Sequence, residues 1–170
     1  PFSSEQLEEL LATHDTPFHV YDERGIVENA RRLKDAFSWN PGFREFYAVK
    51  AAPNPFLLKI LEAQGFGTDC SSLPELLLSE SVGITGERIM FTSNDTPAEE
   101  FVKARALGAI VNLDDITHLA FLEEAAGLPD LLCFRYNPGS LKKGNVIIGH
   151  PEEADQRVAD PVRGQFGIVS

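Results

Sequence analysis

Cysteine, methionine and tryptophan are scarce in this chain: its 170 residues hold two, one and one of them. Cys70 and Cys133 lie far apart in apolar surroundings, with no CxxC pair and no Cys/His spacing. That excludes a disulfide framework and a zinc site, and both residues read as reduced core thiols. Basic residues are also short, 15 against 26 acids, for a net charge of -11. Binding to nucleic acid or to an anionic membrane, which basic patches drive, is therefore not expected. No apolar run reaches the length of a bilayer and no signal-peptide pattern occurs, so a cytoplasmic setting is expected. Neither GxGxxG nor GxxxxGK[ST] is present, which removes the usual glycine-rich phosphate loops.

What remains is an ordinary globular composition, 43% hydrophobic and 24% charged, long enough for one domain with a real core. Ser3-Ser4-Glu5-Gln6 opens a short helix to about Thr13, with Leu7, Leu10 and Leu11 on one face. Thr16–Tyr21 reads as a strand starting at Pro17, where no ladder donor is needed. Asp22 caps a second helix striped by Ile26, Ala30, Leu33 and Phe37, and Asn40-Pro41-Gly42 is a turn. A regular rhythm then begins. Apolar strands centre near Tyr47, Phe66, Met90, Ile110 and Phe134, about 22 residues apart, with helical patterns at 55–64, 73–82, 98–107 and 115–126. Ser72-Leu73-Pro74-Glu75 and Thr96-Pro97-Ala98-Glu99 fit capping boxes, and Gly65, Gly83, Gly108 and Gly127 fit C-caps. This alternation predicts a parallel α/β sheet, either doubly wound or a barrel, and the missing phosphate loop favours the barrel.

One stretch stands out chemically. Phe46-Tyr47-Ala48-Val49-Lys50-Ala51-Ala52 predicts a short buried strand that delivers a single amine into apolar company. A lysine so placed has its charged form disfavoured and becomes available for imine formation. Taken alone, a Val-Lys pair more often marks an edge lysine reaching out to water. The other strand ends weigh against that: Asp69, Ser93-Asn94, Asn112 with Asp114, and Arg135 with Asn137 each follow an apolar run. Asp, Asn and Ser are common caps at such positions, but five in register converge on the C-terminal face, where barrel enzymes hold their chemistry. Beyond Gly139 the order weakens. Residues 140–149 read as a polar loop, 151–163 as a charged mobile loop or linker, and 165–169 as one more strand.

FYAVKAAPNP resembles the YAVKAN motif of the alanine-racemase-like barrels that use pyridoxal 5′-phosphate (PLP), and in particular the diaminopimelate decarboxylase group. The likeness runs on through TPFHVYD, GFGTDCSSLPEL, RIMFTSND, AIVNLDD and FRYNPG, nearly all of residues 16–139. The RYNPG form favours this group over the ornithine and arginine decarboxylases. The resemblance implies an α/β fold, a PLP-binding (β/α)8 TIM-type barrel, incomplete in this chain: residues 1–15 a leading helix, 16–139 the βα units, 140–170 a loop and strand. It implies decarboxylation of meso-diaminopimelate to L-lysine and carbon dioxide, on a cofactor held by Lys50 as an imine. Asp69 would hold and polarise the cofactor region, with Arg135 also at the cofactor. Glu75 would pair with Arg135 in a buried ion pair, and Asn94 and Asn137 would support the site. The implied partners are a small amino-acid substrate and a second copy of the chain. Two departures stand against the pattern: Gln165 replaces a lysine, and none of His14, His19, His118 and His150 falls where the family's ring-stacking histidine belongs. Later barrel units and the C-terminal β-domain are also absent, so the chain is expected to be the front part of a longer enzyme and inactive alone. A non-catalytic PLP-binding barrel, and a βα binding module unrelated to PLP, remain the competing readings.

Overall fold

A computed structural model describes residues 3–135 and, for the backbone only, the strand Gly167–Val169. Its order is α1 (Ser4–Thr13), α2 (Glu23–Ala36), β1 (Phe46–Ala48), α3 (Pro55–Ala63), β2 (Gly67–Cys70), α4 (Leu73–Ser81), β3 (Ile89–Ser93), α5 (Ala98–Ala106), β4 (Ile110–Leu113), α6 (His118–Ala126), β5 (Leu132–Phe134) and β6 (Gly167–Val169). The strands lie side by side in chain order, and β1 to β5 are parallel. Consecutive parallel neighbours joined by helices are the units of which (β/α) barrels are made. The sixth strand breaks the pattern, because β6 runs antiparallel to β5. An antiparallel neighbour needs no helical crossover, and no helical period was evident between residues 140 and 165.

Period-two alternation sorts the sheet into two faces. Cys70, Ile89, Phe91, Val111 and Leu113 are buried, and they pack with Leu58, Leu76, Phe101, Ala104 and Leu122 of α3 to α6 in the main core. The intervening residues Asp69, Met90, Thr92 and Asn112 are only half-buried. A second, smaller core joins Ala30 of α2 to Leu57, Leu61 and Phe66 around α3. Gly67 sits where the chains come closest, since a Cβ there would lie 2.3 Å from the Arg88 carbonyl oxygen. The helix stops follow the glycines, as at Gly65, whose φ of 85° is costly for any residue with a Cβ.

Four expectations need correcting. Thr16–Tyr21 is not a strand. It has no sheet partner among the described residues, and Val20 and Tyr21 are exposed. Alternating β-formers make a strand only where a neighbour offers a ladder. The helix read from Asp115 starts at His118, because Asp115 Oδ1 accepts from the Thr117 amide at 2.8 Å and holds a turn there. Cys70 is a core thiol beside Ser79 (Sγ to Oγ 3.3 Å), and burial above all pushes it up to about 11, but Cys133 is only half-buried. Neither expected capping box forms: the Ser72 side chain caps no amide of α4, and α5 starts from Pro97.

The α4 N-terminus is capped instead from another helix. Glu100 of α5, only 9% exposed, accepts the Leu73 amide hydrogen at 2.8 Å. One carboxylate thereby satisfies an orphan helix donor and braces α5 against α4. Replacing Glu100 by Ala should cost about 1–3 kcal/mol, the range for losing a charged cap and leaving its partner unsatisfied. Urea denaturation checks this, and a loss below about 0.5 kcal/mol, the scale of ordinary surface changes, would show that the brace is not structural.

Candidate active site

Because β1 to β5 are parallel, their C-terminal ends share one edge of the sheet. The residues singled out at strand ends therefore come together, though not all as anticipated. Lys50 lies not within β1 but in the 3-10 turn Val49–Ala51 that follows it, and its side chain is exposed. Val49 takes the core-facing place at 0% exposure, and the residue after it falls to the face that Ala48 shares with Asp69. The apolar enclosure expected around the amine is not supplied by the described residues.

Asp69 is the most electrostatically loaded group on this edge. Its position on β2, opposite Ala48 of β1 and Met90 of β3, puts it on the less covered sheet face. Burial lifts its carboxyl above the ordinary aspartate range, and the Glu75 carboxylate adds to the rise. A hydrogen bond from Thr92 and the charges of Lys50 and Arg135 pull the other way. Lys50, Glu75 and Arg135 thus all act on one carboxylate, which places the four groups in one neighbourhood. Asp69 Oδ1 is buried and has no hydrogen-bond partner among the described residues.

The predicted pairing of Glu75 with Arg135 does not form. Glu75 is held locally, accepting from the Ser71 amide at 2.9 Å and from Ser72 Oγ at 3.1 Å. Arg135 pairs with Asp114, which follows β4 directly beside it, and the Arg135 amide donates to the Leu113 carbonyl at 2.8 Å. The pair is not buried either, with the two side chains 43% and 27% exposed. An ion pair at that exposure contributes little stability, so its effect is to fix a cation at the strand ends. Asn94 is exposed in the bend after β3. Asn137 lies outside the described residues.

Sequence reasoning missed Thr92 and, as partner of Arg135, Asp114. Thr92 was marked only by being polar between Phe91 and Ser93 on a strand whose odd-numbered residues are buried. On β4, Asn112 Nδ2 donates to Thr92 Oγ1 at 3.2 Å, directly across the register.

The raised Asp69 carboxyl fixes a sign for pH dependence. The folded chain keeps this proton longer than the unfolded chain does, so ionisation opposes folding. Stability should fall as pH rises from the ordinary value of 3.8 through the raised one. Asp69→Asn, which mimics the neutral acid, should lack that slope. Urea unfolding at a series of pH values should therefore show the variant gaining on the parent across this window and then running level. A flat or falling difference would mean that Asp69 is not desolvated.

Comparisons with known proteins give the family. Residues 23–152 match the family described as pyridoxal-dependent decarboxylase, pyridoxal binding domain. Protein TabA of Pseudomonas amygdali pv. tabaci is 41% identical over 148 residues, 87% of this chain and 34% of that protein. The diaminopimelate decarboxylase of Methanothermobacter thermautotrophicus is 37% identical over 131 residues, 76% of this chain and 31% of the relative. Among solved structures, Helicobacter pylori diaminopimelate decarboxylase complexed with L-lysine superposes with a TM-score of 0.60 at 30% identity, covering 70% of this chain and 30% of that one. The chain thus spans about a third of the length of the curated relatives it matches. A chain with the strand-end lysine, the desolvated aspartate beside it and this match over most of its length belongs to the pyridoxal-dependent decarboxylases, in the part that binds pyridoxal.

Proposed function

We propose that the chain is the front part of a PLP-dependent enzyme that decarboxylates meso-diaminopimelate, releasing L-lysine and carbon dioxide. The observation that carries this reading is the juxtaposition of the exposed Lys50 amine with the Asp69 carboxylate at the strand ends. The residues fit such a cofactor: Lys50 is an accessible primary amine, and Asp69 Oδ1 is a buried acceptor left unused among the described residues. An unused acceptor inside a folded protein is rare enough to suggest a donor that is supplied from outside. Bound PLP supplies an electron sink for the pair left behind when carbon dioxide departs.

The chain's own residues then have distinct tasks. Lys50 is the covalent anchor, its reach set by the turn Val49–Ala51. Asp69 lies close enough to counter the charge of that amine, and Glu75, pinned by Ser71 and Ser72, adds negative potential from the start of α4. Arg135, anchored by Asp114, sets a fixed cation at the opposite side of the site, suited to an anionic group of cofactor or substrate. The choice of meso-diaminopimelate over other basic amino acids rests on the relatives that carry that name and on the RYNPG segment. The two unpaired thiols suit a reducing compartment, and we read the whole enzyme as a cytoplasmic homodimer. The site assembled from this chain alone is open, so we propose that the 170 residues by themselves turn over little.

Adding PLP to the chain should produce a visible absorption band that borohydride removes, and Lys50→Ala should lose most of it. A Lys50→Ala variant that develops the band as fully as the parent would overturn the assignment of the anchor. Carbon dioxide release by the whole enzyme from meso-diaminopimelate, measured against ornithine, arginine and lysine, tests the substrate. Preference for one of the other three would replace it.

A further inference from the structure

The sheet face turned away from α3 to α6 carries a polar line of which the function above uses only Asp69. Thr92 stands two residues beyond Met90, the partner of Asp69, and on the same face. Asn112 lies directly across from Thr92, and Cys133 directly across from Asn112. Four adjacent strands thus contribute Asp69, Thr92, Asn112 and Cys133 to one diagonal. Half-buried polar groups in a sheet are costly unless they satisfy one another, so their order along the diagonal carries information.

We propose that Asn112 and Thr92 are positioning residues that act through Asp69, forming a relay of directed hydrogen bonds that holds its carboxylate ready beside Lys50. Asn112 Nδ2 donates to Thr92 Oγ1 at 3.2 Å. A hydroxyl has one hydrogen to give. With its oxygen engaged as acceptor from Asn112, Thr92 has that hydrogen left for Asp69, which lies diagonal to it on the same face, where it would stabilise the ionised form against burial. Chains of this kind polarise one another, so removing Asn112 weakens the bond that Thr92 makes. The charged groups facing Asp69 from the other elements are Lys50 in the turn after β1, Glu75 of α4 and Arg135 after β5. None of these three is hydrogen-bonded to Thr92 or Asn112 in the described residues. The relay rests on the reading of Asp69 as part of the cofactor site, but its physical content concerns only the carboxylate.

The test therefore reads Asp69 itself, without PLP. The chain is labelled with 13C at the aspartate carboxyl carbons, the Asp69 signal is identified by its loss in Asp69→Asn, and its titration midpoint is followed by NMR. Thr92→Val, which keeps the shape and removes the hydroxyl, should raise the midpoint by about one pH unit, the scale of one hydrogen bond to a charged group. Asn112→Leu should raise it by less, and Thr92→Ser should leave it within a few tenths of a unit of the parent. An unmoved midpoint in Thr92→Val with an unchanged amide spectrum would overturn the relay. Should Thr92→Val unfold, Asn112→Leu decides: an upward shift supports the relay and an unmoved midpoint removes it. A further readout separates this from the function itself. If the unsubstituted chain fails to couple PLP to Lys50 at all, the cofactor reading fails, while the Asp69 midpoints still decide the relay.

Discussion

Among the described residues, α3 to α6 all pack on one face of the sheet, and the rest of the arrangement follows from that. On β2 to β4 the alternate residues that face α3 to α6 are buried and mostly apolar, with Ile89, Phe91, Val111 and Leu113 at 1% exposure or less. The residues between them face the other way and include Asp69, Thr92 and Asn112. A parallel sheet is normally covered on both faces. In a (β/α) barrel the second face becomes the packed interior, and the functional groups gather at the carboxyl ends of the strands. The strand register here places the Lys50 amine and the Asp69 carboxylate at that end. The packing that stabilises the fold and the chemistry that uses it therefore occupy alternate residues of the same short strands.

Much of this was legible beforehand because it is local. The five parallel strands from Phe46 onward, the helix stops at glycine and the Asp22 cap depend on residues a few places apart, and these took the form the sequence indicates. What was hidden depends on contacts across the fold. Glu100 looks like a first-turn acid on a surface helix, and its amide partner Leu73 is 27 residues away. Arg135 could be read toward Glu75 because both follow strands, but adjacency in the sheet gives it Asp114, while Glu75 is captured by amide and hydroxyl donors within four residues. Thr16–Tyr21 carries the alternation of a strand and no partner to complete it among the described residues. Lys50 itself was placed correctly at a strand end, but the apolar wall read around it is not built by the described residues, because Val49 takes the core side and leaves Lys50 exposed on the face that Ala48 shares with Asp69.

The electrostatics show a site maintained against stability. Asp69 would be easier to bury as a neutral group, and its ionised form is held only by Thr92, Lys50 and Arg135, with Glu75 opposing. Residues that depress stability while remaining well placed for chemistry are what a preorganised site requires. The strongly acidic chain, at -11 net charge, makes the cations near Asp69 the more conspicuous. Lys50 follows β1 and Arg135 follows β5, so the two cations flank Asp69 of β2 in the strand order.

The claim at the centre is that the strand-end amine on this sheet face is the one that takes the cofactor. Reducing the chain with borohydride in the presence of PLP, then mapping the modified peptides by mass spectrometry, tests it directly. The account predicts that the pyridoxyl group is concentrated on Lys50, with Lys34, Lys59 and Lys103 modified only in trace. Labelling spread evenly over these lysines, or centred on one remote from Asp69, would contradict it.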